Sequence, residues 1–539
     1  MAKKLVTIVA LCIMMVFGGV LLYADDQVTT LTSSHAFPVY IDPAVGSTFE
    51  CYRAIVNLYD TLVHPDLEGK PEPHVAETWE ASNDGTVWTF QLRQGIPFHD
   101  GHELTAEDVK YSIDRMLTIG EGPAHLFLGV IKDVEVVDDY MVRIYLTQSF
   151  GPFLSILYKV PILNKEVVEA NLKHPGSYGE KGDYGKDFLN YNDAGSGAYK
   201  VKEISLGAYL LFERFSDYWG YVAPNAPDQI RMIASTDPTI IRTMMSRREL
   251  EISDQWQSIE SLTALDNIEG IDIAAYGAGG MFYYMIHTRK PPTDDVHVRK
   301  ALAWATDYKT LVSKIYPGYT QARGPIPQNL LGYDPNVFQY QFDLDKALEE
   351  LKKSGYYEDL DEHIIEIHWI SEVPAEEKVA LLLQATWAQI GIHAEVVRDP
   401  WLSVMEYMAT EETSPHLVPM FITAEYPDAG SLLDSKYGSD SASTWDQNEW
   451  LLDPKYDRML EEALAIVDQS ERAERYSELQ DYIIDLCPTL FLCDDIETHA
   501  YQSYYVDWPA AKGEAVPVIG YNFEVRFIEV YPEKRKELL

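Results

Sequence analysis

The sequence is poor in cysteine, in basic side chains and in long apolar runs, and each shortage excludes something. Four cysteines in 539 residues rule out a disulfide scaffold, and a chain that is 46% hydrophobic can build cores without one. The 43 Lys and Arg stand against 85 Asp and Glu, a formal net charge of −42. That deficit excludes a nucleic-acid binder, which needs clustered Lys and Arg on phosphates. It also excludes docking on anionic lipid through a basic patch. After residue 24 no stretch approaches membrane-spanning length. There is no Walker phosphate loop, no H-E-x-x-H and no G-x-S-x-G. Collagen-like, coiled-coil and disordered classes are excluded by composition, and no short internal repeat is visible.

The first 24 residues differ from the rest. Lys3 and Lys4 precede the apolar run Leu5–Leu22, and Tyr23-Ala24 comes before Asp25-Asp26. Basic, apolar, small and then polar is the order of a secretory signal peptide; an uncleaved anchor is the competing reading. Removing the leader leaves 41 − 85 = −44 and three cysteines, Cys51, Cys487 and Cys493. An odd count leaves at least one thiol in a monomer. Cys487 and Cys493 flank the strand-like CPTLFLC, roughly 20 Å apart when extended, too far to bond. An exported protein, periplasmic or on the outer face of the cytoplasmic membrane, is expected.

Helical and strand patterns mix throughout, which predicts an α/β fold. VWTFQLR (87–93) and VRIYLT (142–147) alternate as half-buried strands. Thr105 opens a helix with Asp108 three residues on, and Val109, Ile113 and Met116 or Leu117 form its buried stripe. Residues 171–195 read as a surface connection. Further strands are predicted at 208–213, 229–234 and IHAEVV (392–397), the last entered from a helix over 376–390 through Gly391. Helices are also predicted near 238–250, 296–315, 454–467 and 471–486, with another that Asp343 caps and Gly355 ends.

Candidate chemistry is sparse. His99 and His102 in PFHDGH have metal-like spacing, but Asp100-Gly101 between them is a turn signal and two histidines do not complete a zinc site. His363 and His368 bracket an alternating segment, EHIIEIH, that reads as a strand edge. No metal or other cofactor is expected. A glycoside hydrolase is the enzymatic rival, since acids and aromatics are its raw ingredients. The 11 Trp and 36 Tyr suit a pocket that grips amphipathic ligands.

Residues 73–116 (PHVAETWEASNDGTVWTFQLRQGIPFHDGHELTAEDVKYSIDRM) resemble the signature block of the peptide/nickel class of ABC-importer substrate-binding proteins, solute-binding family 5. The resemblance continues, in one order, through GSGAYK (195–200), LFERFSDYWG (211–220), KPPTDDVHVRKALAWATDYKTLV (290–312), RGPIPQNLLGYDP (323–335), YPDAGSLLDS (426–435) and DPKYDRMLEEA (453–463). It implies a two-lobed periplasmic-binding-protein fold of type II-like α/β architecture, hinged between lobes, with an extra domain in the first lobe. The first lobe would comprise 25–59, 190–275 and 491–539, the additional domain 60–189 and the second lobe 276–490. Ligand would bind in the interlobe cleft and pass to an ABC permease in the cytoplasmic membrane; the receptor would be a monomer and not an enzyme.

In peptide-binding members of this family an Asp in A-D-Y-x-D/E-P pairs with the ligand ammonium. The matching segment here is Ala424-Glu425-Tyr426-Pro427-Asp428, so the resemblance places Glu425 at that position, one methylene longer than the usual acid. Tyr426 and Asp428 join it as candidates. Trp401, at the start of WLSVMEYM, matches a cleft-lining Trp, and Trp445, Asn448 and Trp450 in STWDQNEW are rim candidates. His35 and Tyr40 lie where the first lobe's opening strand leads toward the cleft. Oligopeptide is the expected ligand, with oligosaccharide the alternative and nickel third.

Overall fold

A computed structural model describes residues 28–36, 39–277 and 279–539, so the expected leader lies outside the described residues. Three larger sheets organise the chain. The first orders the strands Thr30–His35, Gln229–Ala234, Tyr209–Arg214 and Tyr199–Ser205, with the first pair parallel and the others antiparallel. Ile252 bridges both Ser33 and Tyr501, which joins the antiparallel pair Asp272–Tyr276 and Glu497–Tyr501 to this sheet. The second is antiparallel and local, Ala76–Ala81, Val87–Leu92, Met141–Leu146 and Ile131–Asp138. The third is a mixed sheet of six strands, in the order Thr320–Gln321, Thr489–Asp494, Gly280–Ile286, Leu417–Thr423, Ile364–Ile370 and His393–Asp399.

The hydrophobic periodicity explains these placements. In Val87–Leu92 the side chains of Trp88, Phe90 and Leu92 are buried while Val87, Thr89 and Gln91 are half-buried, as period-two alternation requires. Gly280–Ile286 is buried along its whole length, as befits a strand covered on both faces. Met281, Tyr283 and Met285 enter one core; Phe282, Tyr284 and Ile286 enter the other. The Ala106–Ile119 helix follows its apolar stripe, and Gly120, at φ 69°, ends it. At its start the Asp108 carboxylate accepts both the backbone N–H and the hydroxyl of Thr105, at 2.9 and 3.0 Å.

Several predicted elements are shorter or differently placed. The helix expected over 296–315 stops at Trp304, and Asp307 caps a fresh turn at Tyr308–Thr310 that widens into a π-turn over Leu311–Ile315. Helix 238–250 ends at Ser246, followed by Arg248 at φ 60°. The helix at 454 ends at Leu464, and the one Asp343 caps ends at Leu351, ahead of Gly355. EHIIEIH forms a strand, but an interior one: His393–Asp399 takes the sheet edge. Cys51, Cys487 and Cys493 are all buried and none is disulfide-bonded.

Buried ions fasten the pieces together. Arg115, on the helix Ala106–Ile119, grips Asp42 through two bonds of 2.6 Å, with both side chains sealed from solvent, and its Nε–H donates to the Tyr184 carbonyl at 2.8 Å. The segment near the C-terminus returns to the first helix, Phe49–Leu58: Asn57 donates to Phe523 O and accepts from the Val525 N–H, each at 2.8 Å. Beside it Glu524 is clamped by Arg526 at 2.7 Å and His64 at 2.8 Å. Burial alone would raise the Glu524 pKa, but Arg526 and His64 outweigh it and hold the carboxyl down at about 2.

Arg115→Met would leave Asp42 buried without its counter-ion. A loss of about 3–5 kcal/mol is expected in denaturant unfolding, partly recovered in the Asp42→Asn/Arg115→Met double variant; a loss under about 1 kcal/mol would show that the pair does not hold the two segments.

Candidate functional site

The chain passes from the first sheet to the third at residues 277–279 and returns at 495–496. Both passages continue paired strands: Tyr276 pairs with Glu497 on one side, and Met281 with Asp494 on the other. Between them the Asp495 N–H donates to Gly280 O at 2.9 Å. Beside this junction, Leu417–Thr423 ends in the segment that carries Glu425, anchored by the Ala424 N–H on Gly279 O at 3.1 Å.

The fold of that segment is written in its residues. The Glu425 N–H donates to Ser431 Oγ at 2.9 Å. Asp428 accepts the Gly430 N–H at 2.9 Å and a two-pronged contact from Arg472 at 2.9 and 3.2 Å. Gly430 is needed because a Cβ there would meet Tyr476 Oη at 2.5 Å. Asp428 is therefore fully engaged with Arg472, and the expectation of a ligand contact gives way to a structural pairing. Tyr426 is also buried, its ring edge-on to Phe150 at 6.5 Å. Of the three, only Glu425 keeps its carboxylate accessible, with 43% of the side chain exposed.

A residue distant in sequence approaches Glu425. His125 Nε2, in the turn Gly122–Leu126, lies 3.9 Å from Glu425 Oε1. Tyr52 and Lys159 both feel the Glu425 charge. The Lys159 side chain is buried, its Nζ 3.6 Å from the centre of the Tyr52 ring, and among the described residues no hydrogen-bond acceptor reaches it. Burial lowers its pKa to about 8 against the opposing pull of Glu425. A second buried cation, Arg53, lies under the Phe523 ring at 3.7 Å, gives Nη1 to Ser34 O at 3.1 Å and leaves Nε and Nη2 without acceptors among the described residues. Neither cation was anticipated. The signal for Lys159 was present: it is the one charged residue in FLSILYKVPIL, residues 153–163.

The other candidates separate into two groups. Trp401 and Trp445 meet edge to face at 6.3 Å, and Lys436 Nζ sits 4.7 Å over the Trp445 ring. Trp401 opens the helix Trp401–Met408 with its backbone N–H 3.3 Å from the Glu372 carboxylate. Lys436 lies at the far end of the Gly430–Tyr437 helix. Asn448 and Trp450, expected at a rim, are buried, bonded to Pro415 O at 3.0 Å and Ser414 Oγ at 2.7 Å. His35 is buried at the end of the first strand; Tyr40 is exposed, its N–H 3.3 Å from Cys51 Sγ. Neither is placed in contact with Glu425.

The histidines of PFHDGH serve the turn. His99 bonds Asp193 and, at 2.9 Å, Gly197 O, and His102 bonds Asp100 at 2.7 Å. His368 is paired with Asp399 at 2.8 Å. Among the described residues no group of three His, Cys, Asp or Glu could hold a metal, and no helix is long and apolar enough to cross a membrane. A cavity of about 470 Å³, lined by His64, Tyr221, Tyr521 and Phe527 among others, contains none of the predicted site residues.

Residues 70–444 match the model of the bacterial extracellular solute-binding proteins, family 5. The chain is 27% identical over 473 residues to the probable D,D-dipeptide-binding periplasmic protein of Escherichia coli K12, covering 85% of this chain and 86% of that one. It is 25% identical to heme-binding protein A of Haemophilus influenzae over 447 residues, 77% and 78% of the two chains. Among solved structures it is similar to HbpA2 of Haemophilus parasuis, with a TM-score of 0.76, 25% identity and coverage of 89% and 96%. It also matches the periplasmic binding protein DppA of Helicobacter pylori in complex with the peptide STSA, with a TM-score of 0.73, 22% identity and coverage of 94% and 99%.

Asp428 and Glu425 should separate cleanly by mutation. Asp428→Asn strands the buried Arg472 and should cost about 3–5 kcal/mol of stability. Glu425→Gln, half-exposed and without a close partner, should change the ligand-free protein by less than about 0.5 kcal/mol. Thermal and urea unfolding of the two variants side by side would show it; equal losses would contradict the division of roles.

Proposed function

Since this chain belongs to family 5 of the bacterial extracellular solute-binding proteins, we propose that it captures short peptides between its lobes and hands them to an ABC permease. No covalent step is involved. The additional domain, within 60–189, and the second lobe, after the crossing at 277–279, supply opposite walls. The observation that carries the reading is Glu425: an accessible carboxylate at the lobe boundary, rigidly presented because Ser431, Asp428 and Gly430 fix the loop around it. The family resemblance places it where peptide-binding members hold the ligand ammonium, and several relatives are named for the peptides they bind. A receptor that reads terminal charge and backbone can tolerate varied side chains.

Peptide added at about 100 times its Kd should stabilise the protein by about 2.7 kcal/mol and be recovered intact. Glu425→Gln should weaken tri- and tetrapeptides with a free amino terminus by about 1.5–3 kcal/mol, the scale of a charge-assisted hydrogen bond. N-acetylated versions should bind the parent protein no better than the variant. Calorimetry with matched free and acetylated peptides checks this, and cello-, xylo- and malto-oligosaccharides serve as the comparison. Stabilisation by sugars alone, or cleavage of the added peptide, would overturn the proposal.

A further inference from the structure

Besides the crossing at 277–279 and 495–496, a second contact joins segments on either side of it. Ser149 to Gly151 follow the strand Met141–Leu146 and lie against the C-terminal end of the helix Pro454–Leu464. The Gly151 N–H donates to Leu464 O and the Ser149 hydroxyl to Ala465 O, both at 2.6 Å. The last carbonyls of a helix have no partner within it, so this end is capped from a different part of the chain. The next two carbonyls, Ile466 O and Val467 O, accept Nη1 of Arg472 at 2.8 and 3.1 Å. The same guanidinium grips Asp428, three residues from Glu425. Phe150, between the two capping donors, sets its ring edge-on to Tyr426.

Gly151 shows how close this approach is. Its backbone lies outside the left-handed region, so its own conformation does not call for glycine. The partner does: a Cβ there would overlap Ile466 O and come within 2.7 Å of Arg472 Nη1. Moving the two segments apart by about 1 Å would take both bonds out of hydrogen-bonding range. The cap is therefore made only at full approach.

We infer that Ser149 and Gly151 are specificity-determining residues that select cargo by length. They cap the helix Pro454–Leu464 only when the walls close completely. A peptide short enough to be enclosed gains this contact, and a longer one that holds the walls apart binds without it. The inference rests on the proposed capture of a peptide between those walls, to which it adds a limit on length. Because the cap forms after the peptide has entered, the preference falls on dissociation and not on association.

The test uses the alanine series from dialanine to hexa-alanine, in calorimetry and stopped-flow kinetics on the full-length mature chain. The parent protein should bind one of the di-, tri- or tetrapeptides at least about tenfold more tightly than hexa-alanine. Gly151→Val should level the series by speeding dissociation of the preferred peptide about tenfold, with association and the hexa-alanine affinity changed less than about twofold. Ser149→Ala, which loses one of the two bonds, should speed that dissociation about threefold. X-ray scattering should show the parent contracting more with the preferred peptide than with hexa-alanine, and Gly151→Val contracting no more with one than with the other. Melting curves without peptide confirm that Gly151→Val is folded, and Ser149→Ala carries the test if it is not. A flat series in the parent overturns the inference, as does a series unchanged in the variants or weakened equally at every length. In those cases peptide capture itself stands; if no peptide binds the parent, capture fails and the inference goes with it.

Discussion

One antiparallel ladder runs through both halves of the molecule. Asp272–Tyr276 pairs with Glu497–Tyr501 in the first lobe, and Gly280–Ile286 pairs with Thr489–Asp494 in the second. The two strands leave one sheet together and enter the other together. Everything on either side is hung from this ribbon: Ile252 stitches it to the first sheet, and Leu417–Thr423 flanks its other half. The alternating burial of Gly280–Ile286 into two cores makes this the strand whose register the second lobe can least afford to shift, since a one-residue slip would exchange the two faces.

The acidic chain sorts its charges by role. Asp42 with Arg115 and Asp428 with Arg472 are sealed pairs that hold segments far apart in sequence, and Glu524 is sealed against its near neighbour Arg526 and the distant His64. Each is satisfied, and each would be expensive to break from one side. Glu425 and Lys159 differ in kind: one is exposed without a close salt bridge, the other buried without an acceptor among the described residues. A buried cation without an acceptor and an accessible carboxylate are both places where a binding function is sought. Three residues beyond Glu425, Asp428 shows that the same acidic motif holds both a scaffold group and an accessible one.

Much of the fold was legible because it is local. The alternation in VWTFQLR, the Thr105–Asp108 start and the helix before Gly391 all rest on neighbours in sequence, and each forms in place. Misreadings came where a competing local signal was overlooked or where distant partners decide. The 296–315 pattern breaks at Trp304 because Asp307 caps a new turn, a local signal overlooked within a good apolar stripe. EHIIEIH looked like an edge because its polar positions alternate, yet its neighbour His393–Asp399 comes from beyond the intervening helix to take that place. At the site, Glu425 was found through a motif, whereas the burial of Asp428, Asn448 and Trp450 depends on Arg472, Pro415 and Ser414, which no spacing predicts. Lys159 stands out in the sequence as the one charge in an apolar run, whereas the burial of Arg53 depends on Phe523 and Ser34, which no spacing predicts.

The two-stranded ribbon has a mechanical consequence. Paired strands lie about 4.8 Å apart, a narrow waist between bodies tens of ångströms wide. Such a strap resists stretching and sliding through its hydrogen bonds, but two strands bend and twist more readily than a wide sheet. The lobes therefore keep a fixed separation at the waist and a variable angle beyond it. Under the proposed capture of peptides, a longer cargo would require a wider angle at that pivot, and the outer faces of the lobes would carry its size to any surface that meets both.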